Sequence, residues 1–368
     1  MGGVSDLPDD VLSALPIRDD LRGLTPYGAP QASVPVALNV NENTHPVPQD
    51  VADDILDAIS RALRDINRYP DREFTALRES FAQYLGHGLT AEQIWAGNGS
   101  NEVLQHVLQA FAGPGRSAFG FSPTYSMYPL LTRGTGATWI AGEREHDYSL
   151  SPEFAAAQVA EADPDVVFLC SPNNPTGTPL SLEVIEAVYD ASRGVVVVDE
   201  AYGEFAPHEE RSALTLLPGR PRLAVSRTMS KAFAFAGARV GYLAASPAFI
   251  DALRLVRLPY HLSALTQAAA LAALAHADVM LATVDDIVQQ RDRMGATLSA
   301  LGYEPFESWT NFILFGGVAD PQATFRALFD RGVLVRDVGI PGTLRVSAGT
   351  EEETTEFLEQ LASVRSQA

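Results

Sequence analysis

The chain has 368 residues, 46% of them hydrophobic and 20% charged, which suggests two domains, or one large and one small. This ordinary globular composition excludes collagen-like, intrinsically disordered and membrane classes. Acidic residues outnumber basic ones by 46 to 26, and a net charge of −20 repels phosphate backbones, so we expect no nucleic-acid partner. The single cysteine, Cys170, and an N-terminus without a signal-peptide pattern favour a cytoplasmic location, and we expect no membrane contact.

The first third of the chain begins with a segment rich in Pro and Gly. Residues 1–35 are expected to form an N-terminal arm that packs on the small domain. Apolar periodicity then predicts short strands and amphipathic helices. In chain order these are a strand at 36–40, helices at 51–63 and 74–85, a helix capped by Ser100 or Asn101 and running to Phe111, and strands near 117–119 and 138–140.

The middle of the chain alternates strands and helices. The run VVVVD at 195–199 is apolar and β-branched, which is typical of a central parallel strand. Further strands are predicted at 165–170, 223–226 and 240–244, and a helix at 182–191. This alternation predicts an α/β domain over residues 36–260, with a mostly parallel central sheet and helices on both faces.

The last third of the chain has a different pattern. A long amphipathic helix is predicted at 279–301, then strands near 311–317, 333–338 and 344–349, a helix near 321–331 and a C-terminal helix. This order predicts a small α+β domain over residues 261–368, with the domain boundary near Pro259–Leu262.

Residues with useful chemistry follow the strand ends of the α/β domain, where ligands bind in open sheets. SPNNPTG at 171–177 follows one strand, Asp199 ends the next, and a third precedes the loop that carries Lys231. Lys231 is the only lysine among 26 basic residues, and arginine cannot replace an amine that must lose its proton. An amine can bond an aldehyde, a buried Asp can hold a pyridinium, and hydroxyls, Arg and helix amides can hold a phosphate. Pyridoxal phosphate requires this set of groups.

Three stretches in this order, SPNNPTG, VVVDEAY and SKAFAFAGARVGY, resemble those of the fold-type I pyridoxal-phosphate enzymes, which share the aspartate aminotransferase fold. Within that superfamily the chain resembles the histidinol-phosphate aminotransferases, most closely their actinobacterial branch. Supporting stretches are LTPYGAPQ, LNVNEN, NRYPD, GNGSNE, SPTYSMYP and LRVSAGT. The resemblance covers nearly the whole chain and implies a large cofactor-binding domain and a small α+β domain.

The resemblance implies catalytic roles for three residues. Lys231 would bond pyridoxal 5′-phosphate and move a proton between substrate and cofactor. Asp199 would pair with the pyridine nitrogen. Tyr202 would bond the phenolic oxygen of the cofactor together with Asn174.

Other matching residues would hold the rest of the cofactor. Those expected at its phosphate are Ser100, Asn101, Thr228, Ser230 and Arg239. Tyr125 would stack on the pyridine ring. Tyr69 would reach the phosphate in the neighbouring subunit, which implies a homodimer.

Substrate recognition also follows from the resemblance. In this superfamily an arginine that matches Arg345 commonly holds the substrate carboxylate, whereas a dianionic phosphate would engage Arg345, Arg336 and Tyr27. The chain departs from many family members after LNVNEN, where Thr44 and His45 stand in place of Pro and an aromatic residue. This departure leaves recognition of an imidazole ring open. The histidines lack the spacing of a zinc site, so we expect no metal.

The expected function is reversible amino transfer between L-histidinol phosphate and 2-oxoglutarate, giving imidazole-acetol phosphate and L-glutamate, in histidine biosynthesis. An aromatic amino-acid aminotransferase of the same fold is the first alternative, with Arg345 as a carboxylate anchor. A decarboxylase of phosphothreonine type and a non-catalytic sensor that binds the cofactor are also possible. Dinucleotide binding and serine hydrolysis are excluded, because no G-x-G-x-x-G follows a strand and no G-x-S-x-G occurs.

Overall fold

The structure of the chain, a computed structural model, describes residues 14–23, 28, 30–207 and 212–366. With strands numbered in chain order, its large sheet contains β2 (Ile94–Asn98), β3 (Ser117–Ser122), β4 (Thr138–Glu143), β5 (Val166–Cys170), β6 (Val195–Asp199), β7 (Leu223–Thr228) and β8 (Val240–Ala245). Their order is β2-β8-β7-β6-β5-β3-β4, and β8 is antiparallel to both of its neighbours while all other pairs are parallel. The prediction of a mostly parallel sheet is confirmed.

Helices surround this sheet, and β5 and β6 are buried along their whole length because both faces are covered. The helices are α1 (Gln49–Ala62), α2 (Thr75–Leu85), α3 (Ser100–Phe111), α4 (Met127–Gly134), α5 (Pro152–Ala162), α6 (Leu182–Ala191), α7 (Pro247–Val256), α8 (Ala264–Ala275) and α9 (Ala277–Leu281). Together they enclose one large apolar core that runs from Val51 to Met280.

A second, smaller unit follows in the chain. It contains β9 (Glu304–Pro305), β10 (Phe312–Gly316) and β12 (Leu344–Ser347) in an antiparallel sheet of order β12-β10-β9, with α10 (Val284–Ala300), α11 (Pro321–Asp330) and α12 (Glu351–Ser366). A separate parallel pair joins β1 (Val36–Ala37) to β11 (Val333–Leu334). Phe312, Phe315 and Phe357 are fully buried in the core of this unit.

The division between the two cores differs from the predicted domain boundary. Leu262 and the buried side of α8 belong to the large core, whereas Ile287 on α10 belongs to the small one. The predicted helix at 279–301 is divided between α9 and α10, because the chain changes there from one core to the other while its apolar pattern continues. We therefore propose a boundary near residue 283 rather than near 260. Within the described residues no single helix is long and apolar enough to cross a membrane. By length and composition only, α8 and the segment 277–300 would together be long and apolar enough, but an 80° bend separates them.

The N-terminal segment contacts both units. Arg18 donates hydrogen bonds to the carbonyls of Arg133 (2.6 Å) and Gly134 (3.1 Å), at the end of α4 in the large unit. Val36, directly after the predicted arm, contacts the small unit, where its amide donates to the Gly332 carbonyl at 3.1 Å. Strand β1, which we assigned to the large domain, therefore pairs with the small one.

Candidate active site

A cavity of about 650 Å³ lies at the carboxyl ends of β5, β6 and β7, between the two units. Twelve of the predicted site residues line it: Ser100, Asn101, Tyr125, Asn174, Asp199, Tyr202, Thr228, Ser230, Lys231, Arg239, Arg336 and Arg345. Parallel strands bring their carboxyl ends to one edge of a sheet, which explains why motifs far apart in the sequence meet here.

Lys231 lies in the loop after β7, with its amine in the cavity. The Nζ atom donates a hydrogen bond to the Val40 carbonyl at 3.0 Å. Burial lowers the pKa of Lys231 to about 8, and the nearby charges of Arg345 and Arg239 act in the same direction. The neutral, nucleophilic form of the amine is therefore far more populated at neutral pH than for an exposed lysine.

Asp199 is the last residue of β6 and is buried. Its Oδ2 accepts a hydrogen bond from the Tyr128 hydroxyl at 2.8 Å, whereas its Oδ1 has no partner among the described residues. Burial raises the pKa of Asp199 to about 6. Sequence reasoning missed Tyr128, although it stands in the stretch SPTYSMYP, because only the first tyrosine of that stretch matched an expected role.

Tyr202 is the centre of a polar network that joins both units. Its hydroxyl oxygen accepts hydrogen bonds from Asn41 Nδ2 (2.9 Å) and Asn174 Nδ2 (3.2 Å), so its own hydrogen is left to a third partner. Burial raises the pKa of Tyr202 above its ordinary value, which keeps this hydrogen in place. Asn41 was missed as well. It has a left-handed φ of 57° and is held by Ser347, whose hydroxyl accepts from the Asn41 amide at 3.0 Å.

The start of α3 forms a cradle suited to an anion. Gly99 precedes the helix with a φ of 82°, and no side chain caps the helix end. The expected cap by Ser100 or Asn101 is therefore wrong, and Asn101 Oδ1 instead accepts from the Tyr125 hydroxyl at 3.2 Å. The first amides of a helix lack intrahelical partners and attract negative charge.

Arg239 closes this cradle from the other side. Its Nη1 lies 3.3 Å from the Ser230 hydroxyl, and a Cβ atom on Gly99 would collide with its Nη2. The Thr228 hydroxyl donates to Ser230 Oγ at 3.0 Å. Glycine, guanidinium and two hydroxyls thus surround one small volume of the kind that binds phosphate.

Two arginines form the wall of the cavity on the small unit. Arg336 and Arg345 are directly opposite each other on neighbouring antiparallel segments. The Arg336 amide donates to the Arg345 carbonyl at 2.9 Å, and the Arg345 amide donates to the Arg336 carbonyl at 2.8 Å. The Arg345 guanidinium donates to Asn174 Oδ1 at 2.6 Å and to the Asn39 carbonyl at 2.9 Å. Residues directly opposite on antiparallel strands point to the same face, where like charges destabilise each other unless an anion joins them.

One predicted residue, Tyr69, does not line the cavity, and another cannot be placed. Tyr69 is 80% exposed and stacks on Tyr260 with a ring separation of 4.4 Å. Tyr27 lies outside the described residues. No group of three or more metal-ligating side chains occurs in the part of the chain that the structure describes.

Comparisons with known proteins identify the class of protein. Residues 34–361 match the family Aminotransferase class I and II, and the chain belongs to this family. The histidinol-phosphate aminotransferase of Paenarthrobacter aurescens strain TC1 is 62% identical to it over 356 residues, which are 96% of each chain.

Solved structures agree with this assignment. The histidinol-phosphate aminotransferase of Sinorhizobium meliloti, in complex with pyridoxal-5′-phosphate, is 26% identical, with a TM-score of 0.81 over 91% of this chain and 92% of that one. Aspartate aminotransferase from Thermus thermophilus with maleate is 25% identical, with a TM-score of 0.75 over 89% and 91% of the two chains. The chain therefore has the fold-type I architecture that its motifs implied.

Proposed function

We propose that this chain is a pyridoxal-phosphate-dependent aminotransferase that acts on L-histidinol phosphate and 2-oxoglutarate. Its products are imidazole-acetol phosphate and L-glutamate, in histidine biosynthesis. The observation that carries the choice of substrate is the pair of arginines, Arg336 and Arg345, on one wall of the cavity. The name and the 62% identity of the Paenarthrobacter relative support the same reaction.

The cavity has the groups that pyridoxal 5′-phosphate needs. The buried Oδ1 of Asp199 suits a protonated pyridine nitrogen, because it has no partner among the described residues. The cradle of Gly99, Ser230 and Arg239 suits the cofactor phosphate. When bound, the cofactor supplies an aldehyde that condenses with amines and a ring that withdraws electrons from the substrate carbon.

Lys231 is the residue whose side chain would react with the cofactor. Its neutral amine would hold the aldehyde of the cofactor with loss of water, and once an amino donor had replaced it, the same amine would carry a proton between the substrate Cα and the cofactor C4′. With a pKa of about 8, roughly a tenth of the amine is neutral at pH 7, against less than a thousandth at the ordinary lysine value. The Val40 carbonyl orients the amine by accepting one of its hydrogens.

Arg336 and Arg345 bind the phosphate of the substrate. A phosphate dianion can join both guanidiniums, whereas a carboxylate carries one negative charge and satisfies them less well. Asn174 connects this site to the cofactor, because its Oδ1 accepts from Arg345 while its Nδ2 donates to Tyr202. Tyr27 is proposed as a further phosphate ligand on the basis of family resemblance.

We infer that the active unit is a homodimer. Large apolar side chains are exposed on α1 and at and just beyond the end of α7, including Leu56 (61%), Leu255 (86%) and Leu258 (74%). Such exposure is typical of a protein interface. Tyr69 lies outside its own cavity, which supports the proposal that it reaches the cofactor phosphate of the partner. The single cysteine supports a cytoplasmic location.

The proposal is tested by replacing Arg336. We expect Arg336→Gln to lower kcat/KM for histidinol phosphate at least tenfold, about 1.4 kcal/mol, and to change kcat/KM for phenylalanine much less. Arg326→Gln, in an arginine of α11 that does not line the cavity, is the matched control. Equal losses for both donors would contradict the role of Arg336 in phosphate recognition, and little loss for either donor would favour the aromatic aminotransferase.

Two further observations would identify the decarboxylase and the sensor named above. Release of CO2 from the substrate would indicate a decarboxylase. Bound cofactor without turnover of any amino donor would indicate a sensor.

A further inference from the structure

We propose that Tyr128 is a positioning residue that acts on the cofactor through Asp199 and Tyr125. This inference rests on the proposed cofactor but not on the proposed substrate. The Tyr128 side chain has no expected contact with the cofactor or with the substrate.

Tyr128 is held firmly in place. It lies on α4 and is completely buried, and its ring stacks on Phe168 of β5 with a centroid distance of 4.7 Å and an interplanar angle of 8°. Its hydroxyl donates to Asp199 Oδ2 at 2.8 Å. A rigid aromatic donor of this kind allows little rotation of the carboxylate that it bonds.

This hydrogen bond makes the two carboxylate oxygens of Asp199 unequal. Oδ2 is occupied by Tyr128, while Oδ1 has no partner among the described residues, and Asp199 lines the cavity. Oδ1 is therefore the oxygen available to a protonated ring nitrogen. Without the Tyr128 hydroxyl both oxygens would be buried without a donor side chain, and this favours the neutral acid.

The other groups near Asp199 do not replace this donor. Cys170, Glu200 and Tyr202 are close enough for their charges to affect Asp199, and Arg144 interacts with Tyr128 and Cys170 rather than with Asp199. Burial and the Glu200 charge raise the pKa of Asp199, whereas the Tyr128 hydroxyl and the nearby backbone amide of Ala201 lower it. Among the side chains described, Tyr128 is thus the one that favours the charged carboxylate.

The same ring supports Tyr125. The two tyrosine rings meet edge to face, with a centroid distance of 5.4 Å and an angle of 86°. The Tyr125 hydroxyl donates to Asn101 Oδ1 at 3.2 Å, so the ring is fixed at both ends. Tyr128 therefore positions both the carboxylate and the aromatic ring that are proposed to hold the cofactor.

The test is the variant Tyr128→Phe, which keeps both ring contacts and removes the hydroxyl. We expect the dissociation constant of pyridoxal 5′-phosphate at pH 7, measured by equilibrium dialysis, to rise about tenfold or more. The pH below which binding weakens should also move upward, because less of Asp199 is charged at a given pH. Tyr189→Phe removes a hydroxyl from another buried tyrosine, on α6 and outside the cavity, and should change neither quantity.

A double variant separates positioning from a general structural effect. If Tyr128 acts through Asp199, adding Tyr128→Phe to Asp199→Asn should cause no further loss of cofactor affinity and no further pH shift. Additive losses, or an unchanged pH dependence in the single variant, would overturn the proposal. The readout needs no histidinol phosphate, so it stands or falls separately from the choice of substrate.

Discussion

The buried carboxylate of Asp199 should destabilise the protein when no cofactor is bound. Burial raises the pKa of this carboxyl from 3.8 to about 6, so between these values the folded state holds a proton that the unfolded state has lost. The free energy of unfolding must therefore fall as the pH rises through this window. Above pH 6 the charged Asp199 carboxylate destabilises the folded protein to its full extent. This difference in pKa corresponds to about 3 kcal/mol.

The variant Asp199→Asn removes this cost. We expect the cofactor-free variant to be more stable than the cofactor-free wild type by up to about 3 kcal/mol at pH 8 and by about half as much at pH 5. Urea unfolding of both proteins without cofactor, monitored by circular dichroism, measures the difference. Asp330→Asn, at an exposed carboxylate on α11, is the control and should change little. Equal stability of Asp199→Asn and wild type at pH 8 would refute the reasoning.

The same geometry makes three further predictions. Because the pKa of Lys231 is lowered to about 8, the rate at which cofactor-free protein captures pyridoxal 5′-phosphate should rise with pH and level off above about 8; a profile still rising steeply at pH 9.5 would contradict this. Gly99→Ala should weaken cofactor binding about tenfold or more, because the new Cβ meets Arg239, while Gly88→Ala, also at positive φ but in open space, should leave dialysis results unchanged. Burial lowers the pKa of His106 to about 4, so the protein should lose stability as the pH falls from 6.5 to 4, and a His106→Gln variant with the same pH slope would contradict this assignment.

Much of the lining of the candidate site could be predicted because the carboxyl ends of parallel strands lie at one edge of the sheet. The residues after β5, β6 and β7 were identified from short motifs, and the structure brings them into one cavity. The lone lysine was informative for a chemical reason, since arginine supplies charge but not a neutral amine.

What the sequence did not reveal depends on packing between distant segments. Tyr128 and Asp199 are 71 residues apart, and their bond depends on the register of α4 against β5 and β6. Asn41 reaches Tyr202 only because the segment after β1 crosses from the small unit into the cavity. The break before α10 was missed for a related reason, because an amphipathic pattern records that a face is buried but not which core buries it.

We propose that Arg336 and Arg345, the two arginines in the cavity of Lys231, select a phosphorylated amine. The most direct measurement compares kcat/KM for histidinol phosphate with that for phenylalanine and tyrosine, with 2-oxoglutarate as the common acceptor. We expect a preference for histidinol phosphate of tenfold or more, about 1.4 kcal/mol of transition-state discrimination. An equal or reversed preference would contradict the claim and would make Arg345 a carboxylate anchor in an aromatic aminotransferase of the same fold.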